Sequence, residues 1–173
     1  MTAALLLTVT LRAVAAEQFV VTGPSMEAGL FDGDRVLVNK VAYRFTGPSR
    51  GDVVVFGHSL KVDGVPEHRD LIKRVVGLPG ETVEVRACTV FVDGLAVSEP
   101  WLEGGSLLVR SGDSPGGCGL AHLAPVVLGA DQVFVLGDNR AMSVDSRVFG
   151  PVGLGDVVGK VLVAVWPPSR VFS

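Results

Sequence analysis

Valine-rich runs, each closed by glycine or proline, set the first limit on what this chain can fold into. The sequence holds 22 glycines and 10 prolines, and they punctuate the apolar runs too often for long helices. β-Branched residues between turn-formers read as short strands joined by tight turns. The expected strands cover 18–22, 35–40, 52–56, 71–76, 82–85, 90–92, 132–136 and 155–166. Thr82-Val83-Glu84-Val85 and Val90-Phe91-Val92 alternate as half-buried strands do. Asp93-Gly94 is a hairpin signal, and Gly33-Asp34 and Leu78-Pro79-Gly80 mark turns. Residues 57–70 are polar and carry glycine and proline, which predicts an exposed excursion. From Ser98 to Ala130, the repeated glycines break every periodicity, and this stretch reads as a loop-rich cap. The expectation is an all-β fold of many short strands.

A chain of 173 residues suggests one main domain with enough length to bury a core. Charged residues make up only 19% against 48% hydrophobic, and net charge is −3. With no basic block and no aromatic-basic interleaving, nucleic acid is excluded as an expected partner. The two cysteines, Cys88 and Cys118, form no CxxC pair, and no Cys/His cluster has metal-ligand spacing, so no metal and no cofactor are expected. They fit either one disulfide, suited to an extracytoplasmic domain, or two independent thiols. His58, His68 and His122 are scattered, and none sits in a triad-like setting.

Residues 1–16 are apolar except for Arg12. A helix of that length reaches about 24 Å at 1.5 Å per residue, short of the roughly 30 Å hydrocarbon core of a bilayer. The segment fits a short or truncated membrane anchor with Arg12 snorkelling to a headgroup, a cleaved signal peptide ending in Ala13-Val14-Ala15, or a soluble helix. The resulting division is an anchor segment over 1–16 and a β domain over 17–173, with the cap insertion around 98–130.

Two runs carry candidate chemistry. In Gly23-Pro24-Ser25-Met26, proline fixes φ just before the serine and glycine permits a sharp turn. That is a way to hold a hydroxyl in a cleft, or simply a turn. In Asp70-Leu71-Ile72-Lys73-Arg74-Val75-Val76, a lysine stands within an apolar strand. A serine hydroxyl needs a base to become a nucleophile. A lysine can be that base only when desolvation lowers its pKa, since at the reference value only about 1 in 2,500 is neutral at pH 7. Alternation places Lys73 and Arg74 on opposite faces, so one can point inward while the other stays solvated. The plain alternative is a surface lysine paired with Asp70.

These runs, with Gly33-Asp34-Arg35-Val36-Leu37-Val38-Asn39-Lys40, Arg50-Gly51-Asp52-Val53-Val54-Val55-Phe56 and Gly137-Asp138-Asn139-Arg140-Ala141-Met142-Ser143-Val144-Asp145-Ser146-Arg147, resemble the ordered boxes of bacterial type I signal peptidases. Members of that family are membrane-bound Ser/Lys proteases that cut signal peptides from exported proteins. The resemblance covers most of the chain. It implies Ser25 as nucleophile and Lys73 as general base. It also implies Ser143 as a hydrogen-bond partner of the lysine amine, and Asp145 as a support for the site through Arg147 or Arg140. It favours the anchor reading of residues 1–16 and places the β domain on the outer face of the cell membrane. Two positions depart from the family pattern. Gly23 stands where some members have a serine that helps bind the oxyanion, and Glu27-Ala28-Gly29 replaces the usual proline and threonine.

The implied substrate is the extended signal peptide of a preprotein, cut at small-x-small sites, with membrane lipid as a further partner. Such a peptide adds a strand to exposed edges. The expected edges are Phe19-Val20-Val21 and Asp70-Leu71-Ile72. Phe19, Val21, Gly23, Met26, Leu30, Leu71 and Ile72 are the candidate substrate-binding residues, or else ordinary core. Rival readings are a conjugation-linked or mitochondrial-type Ser/Lys maturation peptidase and a catalytically inactive peptide-binding β-domain.

Overall fold

The computed structural model describes residues 15–27, 29–62, 65–103, 118–166 and 170–171. The expected anchor over 1–16 lies outside these residues except at its end, where Ala16 opens the first strand. Among the described residues no helix is long and apolar enough to cross a membrane.

The strands in chain order are β1 (Ala16–Val20), β2 (Arg35–Asn39), β3 (Val53–Val62), β4 (Val65–Gly77), β5 (Thr82–Arg86), β6 (Thr89–Val92), β7 (Leu95–Ala96), β8 (Leu123–Val127), β9 (Gln132–Leu136), β10 (Val152–Gly153), β11 (Val157–Trp166) and β12 (Arg170–Val171). The described residues also hold two single-turn helices, α1 (Pro100–Glu103) and α2 (Ser146–Phe149), and 3-10 turns at Pro24–Met26 and Leu154–Asp156. The large sheet has the order β1-β2-β11-β3-β4-β9-β10, with β12 paired to β11. The small sheet has the order β7-β6-β5-β8. Every pairing is antiparallel, so the all-β expectation holds.

Valine alternation explains how the layers form. Val53 and Val55 join a cluster with Val21, Met26, Leu30, Val36, Val38 and Val161. Val54 and Phe56, one residue out of phase, join Val75, Val133, Val135 and Val152. A period of two therefore buries both faces of β3, and each fully buried valine contributes about 1.5–3 kcal/mol relative to exposure. Val76, Phe134 and Leu136 of the large sheet meet Val83, Val85, Val90 and Val92 of the small one in a third cluster. Gly77 is required at that junction, because a Cβ there would lie 2.9 Å from both Leu128 Cδ1 and Phe134 Cβ.

Two stretches differ from the sequence reading. The polar excursion over 57–70 is a continuation of β3 and β4, paired in register from Val53↔Arg74 out to Val62↔Val65. Residues 65–70 are exposed. Cross-strand bonds satisfy their backbone whatever the side chains, so a polar ribbon is stable where it extends a buried hairpin. The stretch read as cap, 98–130, contains β8, which pairs with β5 at the edge of the small sheet. Pro125 within β8 suits an edge position, where a missing donor costs no ladder bond.

Candidate active site

β1 delivers the chain into a loop that hooks back on itself. Val21 N–H donates to Asp34 O at 2.8 Å, and Gly33 N–H donates to Val21 O at 2.9 Å. Between these bonds the backbone turns at Gly23, whose φ of +81° favours glycine. Pro24 then opens the 3-10 turn that carries Ser25, and Met26, 1% exposed, pins the turn into the core. The Gly23 N–H donates to Asp32 Oδ1 at 2.8 Å.

Lys73 comes from the centre of the large sheet. Its Nζ donates to Ser25 Oγ at 2.8 Å and to Ile72 O at 2.9 Å. The side chain is only 3% exposed, and burial lowers its pKa to about 8 against the opposing charges of Asp145 and Asp138. At that value about one lysine in ten is neutral at pH 7, against about 1 in 2,500 for a free lysine. Once Lys73 is neutral, the bond reverses: Ser25 Oγ–H donates to the amine, which is the arrangement from which a proton can transfer.

Arg74 does not stay solvated as the alternation argument allowed; it is 6% exposed. Its Nε and Nη2 donate to Asp138 Oδ1 and Oδ2 at 2.8 and 2.7 Å, and its Nη1 to Gly51 O at 2.8 Å. β4 is paired on both edges here, to β3 and β9, and the Trp101 ring lies over the guanidinium; the bidentate carboxylate makes a buried guanidinium tolerable.

Asp145 is completely buried and pairs with Arg147, as expected. Its Oδ1 accepts from Arg147 Nε at 2.8 Å and its Oδ2 from Arg147 Nη2 at 2.8 Å. It also caps α2 through Arg147 N–H and accepts from Gly137 N–H at 3.0 Å. Arg140 instead binds Glu99, with Nη1 donating to Oε2 at 2.9 Å. Asn139 N–H donates to Ser25 O at 3.1 Å, so the 137–145 segment touches the serine turn directly.

Ser143 departs from expectation. Its Oγ is buried and has no hydrogen-bond partner among the described residues, so the expected bond to Lys73 is not made. The lysine Nζ is already engaged by Ser25 and by Ile72 O, while Ser143 packs against Gly137.

Of the candidate substrate-binding residues, Phe19, Val21, Met26, Leu30 and Ile72 gather in one cluster. Val21, Met26 and Leu30 are its buried interior, and Phe19 and Ile72 its half-buried rim. Leu71 packs in the cluster on the opposite face, as its place next to Ile72 in a strand dictates. β1 is an edge strand of the large sheet. β4 pairs with β9 only from Arg74 onward, which leaves its other side without a described strand partner at Asp70-Leu71-Ile72. Cys88 and Cys118 form a disulfide, and the Cys118 carbonyl accepts from Arg147 Nη1 at 2.6 Å. No group of three His, Cys, Asp or Glu residues among the described residues is placed to hold a metal ion.

Residues the sequence reading missed are Asp138 as the partner of Arg74, Glu99 as the partner of Arg140, and Asp32. Asp138 lies in the last of the ordered boxes, 137–147. Its place in a box with two arginines and Asp145 was the signal that more than a turn was being built.

A family model described as signal peptidase, peptidase S26, matches residues 1–166. Signal peptidase IB of Staphylococcus aureus is 39% identical over 158 residues, covering 88% of this chain and 78% of that protein. Signal peptidase I of Mycobacterium tuberculosis is 32% identical over 197 aligned positions, covering 90% of this chain; the chain spans 66% of that relative's length. A crystal structure of a signal peptidase I from Enterococcus faecalis V583 is 30% identical, with a TM-score of 0.49, over 66% of this chain and 97% of that one.

Proposed function

The chain belongs to the signal peptidase family, peptidase S26, and on that premise we propose that it is a serine endopeptidase that removes signal peptides from exported preproteins. The observation that carries the reading is the 2.8 Å contact between Lys73 Nζ and Ser25 Oγ. Ser25 attacks the scissile carbonyl while neutral Lys73 takes its proton. The ammonium so formed then protonates the leaving amine, and a water activated by the same lysine releases the acyl group. In deacylation the proton taken from water passes through Lys73 to Ser25 Oγ as the ester bond breaks, so serine and lysine end the cycle as they began it, with no cofactor.

Stabilising the oxyanion needs donors aimed at the developing charge. The Ser25 backbone N–H is one donor. The Gly23 N–H is occupied by Asp32, so the second donor comes from another group than the Gly23 backbone. The substrate strand lies along the β1 edge and the open side of β4 at residues 70–72, with Phe19 and Ile72 shaping shallow pockets that suit small side chains. Asp145 supports the site through Gly137 and Arg147, and Ser143 contributes packing against Gly137 rather than a bond to the lysine. Residues 1–16 tether the domain to the membrane, with the site on its outer face.

The test is cleavage of a preprotein carrying a small-x-small site, with the product's N-terminus sequenced. The wild type is expected to cut after that site, and Ser25→Ala to leave the preprotein whole. Cleavage elsewhere, or equal cleavage by the variant, overturns the reading.

A further inference from the structure

The segment that follows the small sheet's edge strand β7 reaches back to the candidate site at two points. Glu99 forms an ion pair with Arg140. Two residues on, the Trp101 ring lies over Arg74, with the guanidinium carbon 5.3 Å from the ring centroid. The ring also covers Gly51, where an added Cβ would meet Trp101 Cζ3 at 3.0 Å. Gly51 is the residue whose carbonyl holds Arg74 Nη1. Trp101 thus covers the buried Arg74–Asp138 pair on one side. Arg140 Nε in turn donates to Gly137 O at 3.1 Å.

Both contacts converge on one short strip. Arg74 holds Asp138, Arg140 holds Gly137, and Asn139 between them donates to Ser25 O. We infer that Glu99 and Trp101 are positioning residues, which hold the 137–140 strip against the serine turn and so set the Ser25–Lys73 geometry from outside the dyad. The inference rests on the Ser/Lys peptidase reading.

The physical basis is exclusion of water. An arginine over an aromatic face gains cation–π attraction, more when desolvated, and the Arg74–Asp138 pair keeps its strength only in a dry setting. Without the ring, water reaches Arg74, and the strip loses one of its two outer holds. A shift of about 1 Å in reacting geometry can cost on the order of 100-fold in rate. The groups that bear on Lys73 are Ser25 from the 3-10 turn, Asp138 paired with Arg74, and Asp145 paired with Arg147. Asp138 and Asp145 both favour the charged lysine. Loosening Arg74 from Asp138 leaves that carboxylate less neutralised, and admitted water reduces the desolvation of Lys73. Both effects act in the same direction, toward a lysine that is harder to deprotonate.

The experiment measures kcat, KM and the pH dependence of kcat for cleavage of a signal-peptide substrate by wild type, Trp101→Ala, Trp101→Leu, Trp101→Phe and Glu99→Gln, each beside its thermal melt. Trp101→Ala and Trp101→Leu are expected to lose about 10- to 100-fold in kcat, with KM nearly unchanged and the rising limb of the profile moved to higher pH. Trp101→Phe keeps an aromatic face over Arg74. Because Trp101 Nε1 makes no hydrogen bond among the described residues, this variant is expected to restore kcat to within about threefold. Glu99→Gln is expected to lower kcat in the same direction. If Trp101→Ala does not fold, Trp101→Leu, which keeps an apolar plug without a π face, decides the matter. A folded Trp101→Leu with wild-type kcat and an unmoved pH limb overturns the inference and leaves the peptidase reading standing. A wild type that cuts no signal-peptide substrate removes that reading, and this inference with it.

Discussion

Gly137 lies where the 137–140 strip meets the serine turn, and it leaves no room for a side chain. A Cβ built there would stand 2.5 Å from Ser143 Cβ and closer still to Ser143 Oγ and the Ser25 carbonyl oxygen. Ordinary contact begins near 3.5 Å, so Gly137→Ala must open the site by roughly 1 Å. Ser143 is one neighbour that must give; the other is Ser25 backbone, which cannot swing aside as a flexible side chain does. Overpacking of this kind costs about 1–3 kcal/mol in stability. The larger effect is expected in rate, because moving the Ser25 peptide carries Oγ away from Lys73 Nζ, and about 1 Å of misplacement is worth on the order of 100-fold. The assay compares kcat/KM for a signal-peptide substrate in Gly137→Ala and in Gly155→Ala, whose added Cβ meets nothing within 4 Å. Thermal melts establish that both are folded at the assay temperature. Gly155→Ala is expected to match wild type, while Gly137→Ala loses about 100-fold with both dyad side chains intact. A folded Gly137→Ala with wild-type kcat/KM would refute the claim that this close approach sets the serine's position.

Asp145→Ala removes a buried partner of Arg147, the cap of α2 and the acceptor for Gly137 N–H. Leaving that guanidinium unpaired is expected to cost about 3–5 kcal/mol in chemical denaturation; a loss below about 1 kcal/mol, the range of a surface pair, would contradict the assignment. Cys88→Ser with Cys118→Ser opens a loop between residues separated by 30 positions, and its denaturation midpoint is expected to fall by the equivalent of about 2–4 kcal/mol. An unchanged midpoint would show that the bond constrains nothing. Deleting residues 1–14 is expected to release the domain from carbonate-washed membranes while keeping it folded, because β1 starts at Ala16 and Lys40 N–H donates to Ala15 O. A truncated chain that stays fully membrane-bound would end the anchor proposal.

How much of this was readable in the sequence depended on how local the information was. Period-two valine runs reveal strands because each residue's burial follows from its neighbour's. Asp93-Gly94 declared its hairpin, with both residues at positive φ, 50° and 80°. The preceding hairpin turn, Ala87-Cys88, adopts φ of 45° and 69° without any glycine or asparagine, so no turn signal marked it. The disulfide to Cys118 and the Cys88 N–H bond to Ala121 O hold it in place. Ser25 and Lys73 were legible as candidates from their boxes, and the fold brings them into contact. The Arg74–Asp138 pair, 64 residues apart, was not, because only the pairing of β4 with β9 brings it together. Leu71 was misgrouped with Ile72 although alternation alone sets them on opposite faces. The bond expected of Ser143 came from resemblance, and the geometry around Gly137 gives its hydroxyl a different place.

The central claim is that burial lets Lys73 act as the base for Ser25, and the pH dependence of kcat/KM tests it most directly. In the proposed mechanism neutral lysine is the active form, so the rate is expected to rise with pH through the lowered pKa of about 8. Lys73→Ala, and Lys73→Arg, whose guanidinium stays protonated, are expected to lose at least about 10³-fold at every pH. A rising limb found only near the free-lysine value of about 10.4, or substantial cleavage by either variant, would contradict the account.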